Sequence, residues 1–167
     1  MKNCVGYWDG QANSILNQPN TFNSLYFFKE LSPFLKQESI EEINKKFEEL
    51  SIDLNGIDSF EKKRKIGEND HYLCRLIRED SVIDFVTIYS RNNLNSESTI
   101  KESIFETNNF LITKKQKLTL IEYALFFGSI NIFNYLRFNN SDLNEDSWLF
   151  AIHSNNPAII HLLEENK

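Results

Sequence analysis

The chain has 167 residues and a formal net charge of −6, with five glycines and three prolines. Its hydrophobic content of 41%, which includes 14 phenylalanines, is enough for a folded core and excludes a disordered composition. So few turn-forming residues disfavour a many-stranded β-fold, in which every hairpin needs its own turn. The expected fold class is therefore all-α, in one domain or two very small ones.

The charge is spread evenly along the chain. Residues 1–70 and residues 71–167 each contain 9 basic and 12 acidic side chains. The one basic run, Lys62–Lys65, is flanked by Glu61 and Glu68, which is typical of a solvated helix face. Nucleic acid is therefore not an expected partner.

The two cysteines, Cys4 and Cys74, are too far apart in sequence to indicate a disulfide framework. The N-terminal residues lack the apolar stretch of a signal peptide, and no segment approaches the roughly 18 apolar residues of a membrane span. A reducing compartment is expected, namely the cytoplasm, with a nuclear location left open.

Residues 1–70 are expected to form a helical region. The stretch Met1–Asn20 is weakly patterned, and Phe22–Leu31 is a helix candidate that Ser32-Pro33 would end. Ser39 and Glu42 have the spacing of a capping box, which predicts a helix starting there and stopping at Asn55-Gly56. The apolar positions of that helix follow helical spacing, at Ile40, Ile43, Phe47 and Leu50.

Residues 71–167 contain an internal repeat. Residues 120–136 superimpose on residues 147–163 at an offset of 27, and residues 72–88 give a weaker copy at an offset of 48. Three repeats are predicted at about 71–90, 118–137 and 146–166, with an insertion near 91–117. The insertion has apolar residues that predict packing onto the repeats, namely Ile100, Ile104, Phe105, Phe110, Leu111 and Ile112.

Each repeat predicts two helices joined by a tight turn. Asp80, Gly128 and Asn155 occupy the position where one helix ends, and these residue types enter the left-handed region at low cost. The next position holds a good N-cap for the second helix, at Ser81, Ser129 and Asn156. Pro157 then fits the first position of a helix. The small residues Ala124 and Ala151 predict close helix packing.

The segment Thr119–Ala124, followed by Gly128 and Ile132–Leu136, resembles an ankyrin repeat, whose pattern is Thr-Pro-Leu-His-x-Ala, Gly and an apolar second helix. Residues 71–167 are similar to a divergent ankyrin family expanded in protists, much of it described as domains of unknown function. Leu120 and Glu122 replace the Pro and His of the pattern, and the step of 27 is shorter than the usual ~33 residues.

The resemblance implies a non-catalytic protein-interaction module whose first helices line a concave binding surface. It places four candidate contact residues on that surface: Phe126, Phe127, His153 and Ser154. The alternative for the two phenylalanines is that one or both simply fill the stack.

A repeat stack needs its ends covered. Residues 1–70 are expected to pack on the repeats as an N-terminal cap. The C-terminal face lacks such a cap and would expose apolar residues, with Trp148, Ile152, Ile159 and Leu163 as candidates. A partner protein or self-association would cover this face, or the chain is a truncated relative of a longer protein.

No catalytic, cofactor-binding or metal-binding residue is predicted. His153 and His161 do not share a helical face because Pro157 starts a new helix between them. Nucleotide-binding and hydrolase motifs are missing from the sequence. The alternatives to a binding protein are a remnant of a longer ankyrin protein and an effector whose enzymatic site is of an unrecognised kind.

Overall fold

The computed structural model describes residues 25–50, 52, 57–113 and 117–165. Within these ranges the fold is all-α, with no strand and a single isolated β-bridge between Thr99 and Thr119. None of the described helices has the length and apolar character needed to cross a membrane. Two compact units are present: the first extends to Glu68 and includes Ile104–Thr107, and the second comprises Asn69–Ser103 and the chain from Asn108 onward.

The first unit contains α1 (Phe28–Leu31), a 3-10 turn (Ser32–Phe34), α2 (Gln37–Glu49) and α3 (Ile57–Ile66). Its core is a chain of edge-to-face rings with centroids 5.4–6.0 Å apart, in the order Phe28, Phe47, Phe60 and Phe105. Two of the four predicted apolar positions of α2, Ile43 and Phe47, are buried in this core. Edge-to-face contact suits aromatic rings because their electron-rich faces attract the positive edges of their neighbours.

The predicted capping box at Ser39 and Glu42 is wrong. Helix α2 begins at Gln37, so its N-cap is Lys36, three residues before Ser39, and Lys36 makes no side-chain capping bond. The 3-10 turn at Ser32–Phe34 does interrupt the helical stretch before it, as Ser32-Pro33 predicted. Helix α2 ends at Glu49 with Leu50 as its C-cap, so the predicted end at Asn55-Gly56 is also wrong. Residues 55 and 56 themselves, the start of the Phe22–Leu31 helix and the stretch Met1–Asn20 lie outside the described residues.

The second unit contains three helix pairs at the three predicted repeat positions. The pairs are α4 (Tyr72–Arg78) with α5 (Val82–Arg91), α7 (Leu120–Phe127) with α8 (Ile130–Phe138), and α9 (Ser147–His153) with α10 (Pro157–Glu165). The partners of each pair contact one another. The first helices contact in chain order, α4 with α7 and α7 with α9, and α5 contacts α8. Ala124 and Ala151 are fully buried where these helices pack.

The turn inside each pair has the predicted left-handed residue. The φ angles are 48° at Asp80, 70° at Gly128 and 50° at Asn155. Pro157 is the first residue of α10, as its missing N–H predicts. The capping prediction is confirmed only at Asn156, whose Oδ1 accepts from the N–H of Ala158 at 3.1 Å.

Ser81 and Ser129 make no capping bond, contrary to the prediction. The buried Ser129 hydroxyl instead donates to the carbonyl oxygen of Ile77 in the preceding pair. The cap of α8 also comes from that pair, because the Asp80 carboxylate accepts from the N–H groups of Asn131 and Ile132 at 3.0 Å each. The turns of successive pairs are therefore tied together by polar contacts.

The third turn is joined to the second in a similar way, since Asn156 Nδ2 donates to the carbonyl oxygen of Gly128 at 3.2 Å.

Helix α7 has a capping box that was not predicted from the sequence. Thr119 Oγ1 accepts from the N–H of Glu122, and the Glu122 carboxylate accepts from the N–H of Thr119 at 2.9 Å.

The insertion is divided between the two units. Ile100, Phe110 and Leu111 pack against the core of the second unit, whereas Ile104 and Phe105 belong to the core of the first. Ile112 is 48% exposed. Residues 104–107 of the predicted insertion belong to the first unit rather than to the second.

The predicted uncovered C-terminal face is smaller than expected. Ile159 and Leu163 are buried, and Trp148 is half-buried against the core. Ile152 remains 63% exposed. Two of the four candidates are thus core residues, because the apolar stripe of α10 faces α9 within the same pair.

The buried Tyr89 on α5 makes the stability of the second unit depend on pH. Burial raises the pKa of Tyr89 above its ordinary value of about 10, and the neighbouring Tyr135 adds to the rise. The neutral phenol therefore contributes stability below pH ~10 that is lost as the pH rises through the folded-state value. Thermal melts should show a smaller fall in Tm between pH 9 and pH 11 for Tyr89→Phe than for the wild type. An identical fall in both proteins would contradict the prediction.

Candidate protein-interaction surface

The predicted contact residues lie at the C-terminal ends of two neighbouring first helices. Phe126 and Phe127 are the last residues of α7, which Gly128 ends in the left-handed region. His153 is the last residue of α9, and Ser154 follows it as the C-cap. Because α7 and α9 pack side by side, their ends lie next to each other.

Four of the side chains in this region form a continuous row, which we call the aromatic row: Arg78, Phe127, Phe126 and His153. The Arg78 guanidinium carbon lies 5.9 Å from the ring centroid of Phe127. The Phe127 and Phe126 centroids are 5.0 Å apart, and Phe126 and His153 stack at 5.4 Å. The row crosses all three helix pairs, since Arg78 is the last residue of α4.

Arg78 is held in place by two further contacts. Its Nη1 donates to the hydroxyl of Tyr123 at 2.8 Å and to the carbonyl oxygen of Asn69 at 2.9 Å. The Tyr123 ring in turn lies 4.7 Å from that of Phe127. A guanidinium fixed over an aromatic ring gives this end of the row a positive charge of defined position.

The four predicted residues differ in what they offer a partner. His153 is exposed and Phe127 is half-buried. Phe126 is only 8% exposed, so its ring mainly fills the stack, which was the alternative reading of the sequence. Ser154 is a turn residue: its Oγ donates to the carbonyl oxygen of Ala151 at 2.6 Å and accepts from the N–H of Asn156 at 3.1 Å.

The sequence reading missed Phe110 as a member of this site. Phe110 lies in α6 (Asn109–Ile112) of the insertion, and its ring stacks on Phe126 at 5.8 Å. It also meets Phe150 edge-to-face at 5.1 Å and lies 4.0 Å from the ring of His153. The apolar character of the insertion predicted packing, but the insertion lies outside the repeat register and so could not be placed on a helix.

The third pair carries a second surface feature, an open hollow of about 330 Å³. Its apolar lining comes from Ile152, Pro157 and Ile160, and it includes His161. The His161 Nδ1 lies 3.3 Å from a carboxylate oxygen of Glu164. Of the four residues predicted on the uncovered C-terminal face, Ile152 is the one that lines this hollow.

The aromatic row is suited to noncovalent recognition. It combines flat apolar rings with a fixed guanidinium and an imidazole, and aromatic and arginine side chains are enriched at protein interfaces. Within the described ranges, no three His, Cys, Asp or Glu side chains lie together in a way that could hold a metal ion. Comparisons with protein-family models, with curated proteins and with solved structures gave no match to this chain.

Proposed function

We propose that the second unit is a divergent ankyrin-type repeat domain that binds another protein through the aromatic row. The observation that carries this proposal is the continuity of the row across three successive first helices. On an ankyrin plan, the first helices line the surface on which partners dock.

Three features support the ankyrin-type interpretation. The helix pairs recur in the predicted register, each with a left-handed turn residue at the same position. The first helices contact in chain order. The turns of neighbouring pairs are joined by hydrogen bonds, such as that from Ser129 to the carbonyl of Ile77. In a stack of repeats, such contacts contribute to the interfaces between neighbours that stabilise the array.

The exposed parts of the row support a role in protein binding. Phe127 and His153 reach the surface. The buried ring of Tyr123 contacts Phe127, and the buried ring of Phe126 contacts His153. Such a surface is pre-organised, so its own side chains would lose little entropy when a partner docks to it. The proposal includes no reaction and no cofactor, and the expected location stays the cytoplasm or the nucleus. The N-terminal cap and self-association through the C-terminal face stay predictions.

The test is affinity capture of the full chain from the cell that makes it, followed by affinity measurement on the captured protein. Phe127→Ala and His153→Ala should each weaken binding by about tenfold or more, because interface anchors cost above ~1.4 kcal/mol when truncated. Phe138→Ala is the matched control, since Phe138 is 85% exposed at the end of α8, outside the row.

Circular dichroism must be unchanged in the variants for the comparison to hold. Equal loss of affinity in Phe138→Ala, or no loss in either row variant, would contradict the proposal. A purified chain that is molten and captures no partner would favour the remnant of a longer protein instead.

A further inference from the structure

Phe110 occupies a pocket formed by three rings of the repeats, Phe126, Phe150 and His153, which we call the aromatic pocket. The Phe110 centroid lies 5.8, 5.1 and 4.0 Å from these three rings respectively. One contact is stacked, one is edge-to-face and one is tilted. The pocket thus contacts Phe110 through three rings, and stacked and edge-to-face contacts are the geometries that aromatic side chains favour.

The segment that delivers Phe110 is short and locally hydrogen-bonded. Helix α6 has four residues, and its backbone bonds join Leu111 and Ile112 to the carbonyl of Asn108, and Thr113 to that of Asn109. The Asn108 side chain caps it by accepting from the N–H of Phe110 at 3.0 Å. These bonds form within the segment.

Two adjacent side chains seat α6 on the second unit. Leu111 is buried in the core and Phe110 is half-buried against it, whereas Asn109 and Ile112 face outward. Two of the four residues of α6 are thus exposed, and short segments with exposed backbone hydrogen bonds open more readily than the surrounding core. Helix α6 therefore occupies the aromatic pocket as an intramolecular ligand would.

We propose that the aromatic pocket is a binding site for an aromatic side chain followed by an aliphatic one on a single helical turn of a partner protein, and that Phe110 fills this site in cis. This inference rests on the proposed function, because the pocket shares Phe126 and His153 with the aromatic row. The seated occupant defines the chemistry of the partner segment, namely a Phe-Leu pair with polar residues before it. A partner would bind by displacing α6.

A peptide with the sequence of residues 107–113 tests the pocket directly. Fluorescently labelled, it should bind the full chain carrying Phe110→Ala about tenfold or more tightly than it binds the wild type, since only the variant has its pocket free. The same peptide with alanine in place of its phenylalanine should bind neither protein. Equal binding to the variant and the wild type, or no binding to a variant that keeps its helical spectrum, would overturn the proposal.

A second measurement uses the wild-type chain and does not depend on the folding of Phe110→Ala. Excess peptide should increase hydrogen exchange at the amides of residues 109–113 several-fold while leaving exchange in α8 unchanged. Unaltered exchange in α6 would refute displacement.

A Phe110→Ala chain that dimerises without peptide would show that a second copy fills the pocket, which overturns the choice of a partner protein. If the peptide does not bind but capture of a partner still depends on Phe127 and His153, this inference is refuted and the proposed function stands.

Discussion

Replacing Phe133 by alanine is expected to lower the free energy of unfolding of the second unit by about 3–5 kcal/mol. Phe133 lies in α8 and has none of its side chain exposed. It belongs to the continuous core that joins the three helix pairs. Its removal leaves a cavity that the surrounding helices cannot fill, so the loss of transfer energy and the loss of packing add together.

Phe138→Ala provides the control on the same helix. The Phe138 ring is 85% exposed, so its truncation should change the free energy of unfolding by no more than about 0.5 kcal/mol. Urea unfolding followed by circular dichroism would measure both variants. Similar changes in the two proteins would mean that Phe133 does not pack in the core of the second unit.

Asp80→Ala is the substitution with the second-largest expected effect, a loss of about 2–3 kcal/mol. Two costs combine at this position. Asp80 has a φ of 48°, which a non-glycine residue without a local polar side chain adopts only at a cost. Its carboxylate also accepts three hydrogen bonds from the start of α8, from the backbone N–H groups of Asn131 and Ile132 and from Asn131 Nδ2 at 2.8 Å.

Asp80→Gly separates the two costs, because glycine adopts the left-handed conformation freely but cannot cap. We expect it to lose only the capping part, about 1–2 kcal/mol. Asn93→Gly is the matched control, since Asn93 also has a positive φ of 50° but follows the last helix of its pair. It should stay within about 0.5 kcal/mol of the wild type. An Asp80→Gly protein as stable as the wild type would show that the carboxylate does not join the first two pairs.

The features that the sequence predicted well are those that local chemistry determines. The left-handed conformations at Asp80, Gly128 and Asn155 follow from residue types that tolerate them at the end of a helix. The helix pairs follow from the apolar spacing on either side of those turns. The positions of Phe126, Phe127 and His153 at helix ends follow from the same register.

The features that the sequence did not predict depend on contacts between distant parts of the chain. Ser129 has the residue type of an N-cap, yet its hydroxyl reaches the carbonyl of Ile77, 52 residues earlier. The burial of Phe126 depends on Phe110, whose position in the insertion has no equivalent in the other repeats. Ser39 matches a capping motif, but the 3-10 turn before α2 lets the helix begin at Gln37.

Site-specific photo-crosslinking in the native cell tests the central proposal most directly. A photoreactive phenylalanine analogue placed at position 127 should capture a specific protein, and excess unlabelled wild-type chain should abolish the capture. The same analogue at the exposed position 138 should not capture that protein. Capture of the same proteins from both positions, or none from position 127 in a chain with an unchanged helical spectrum, would contradict recognition through the aromatic row.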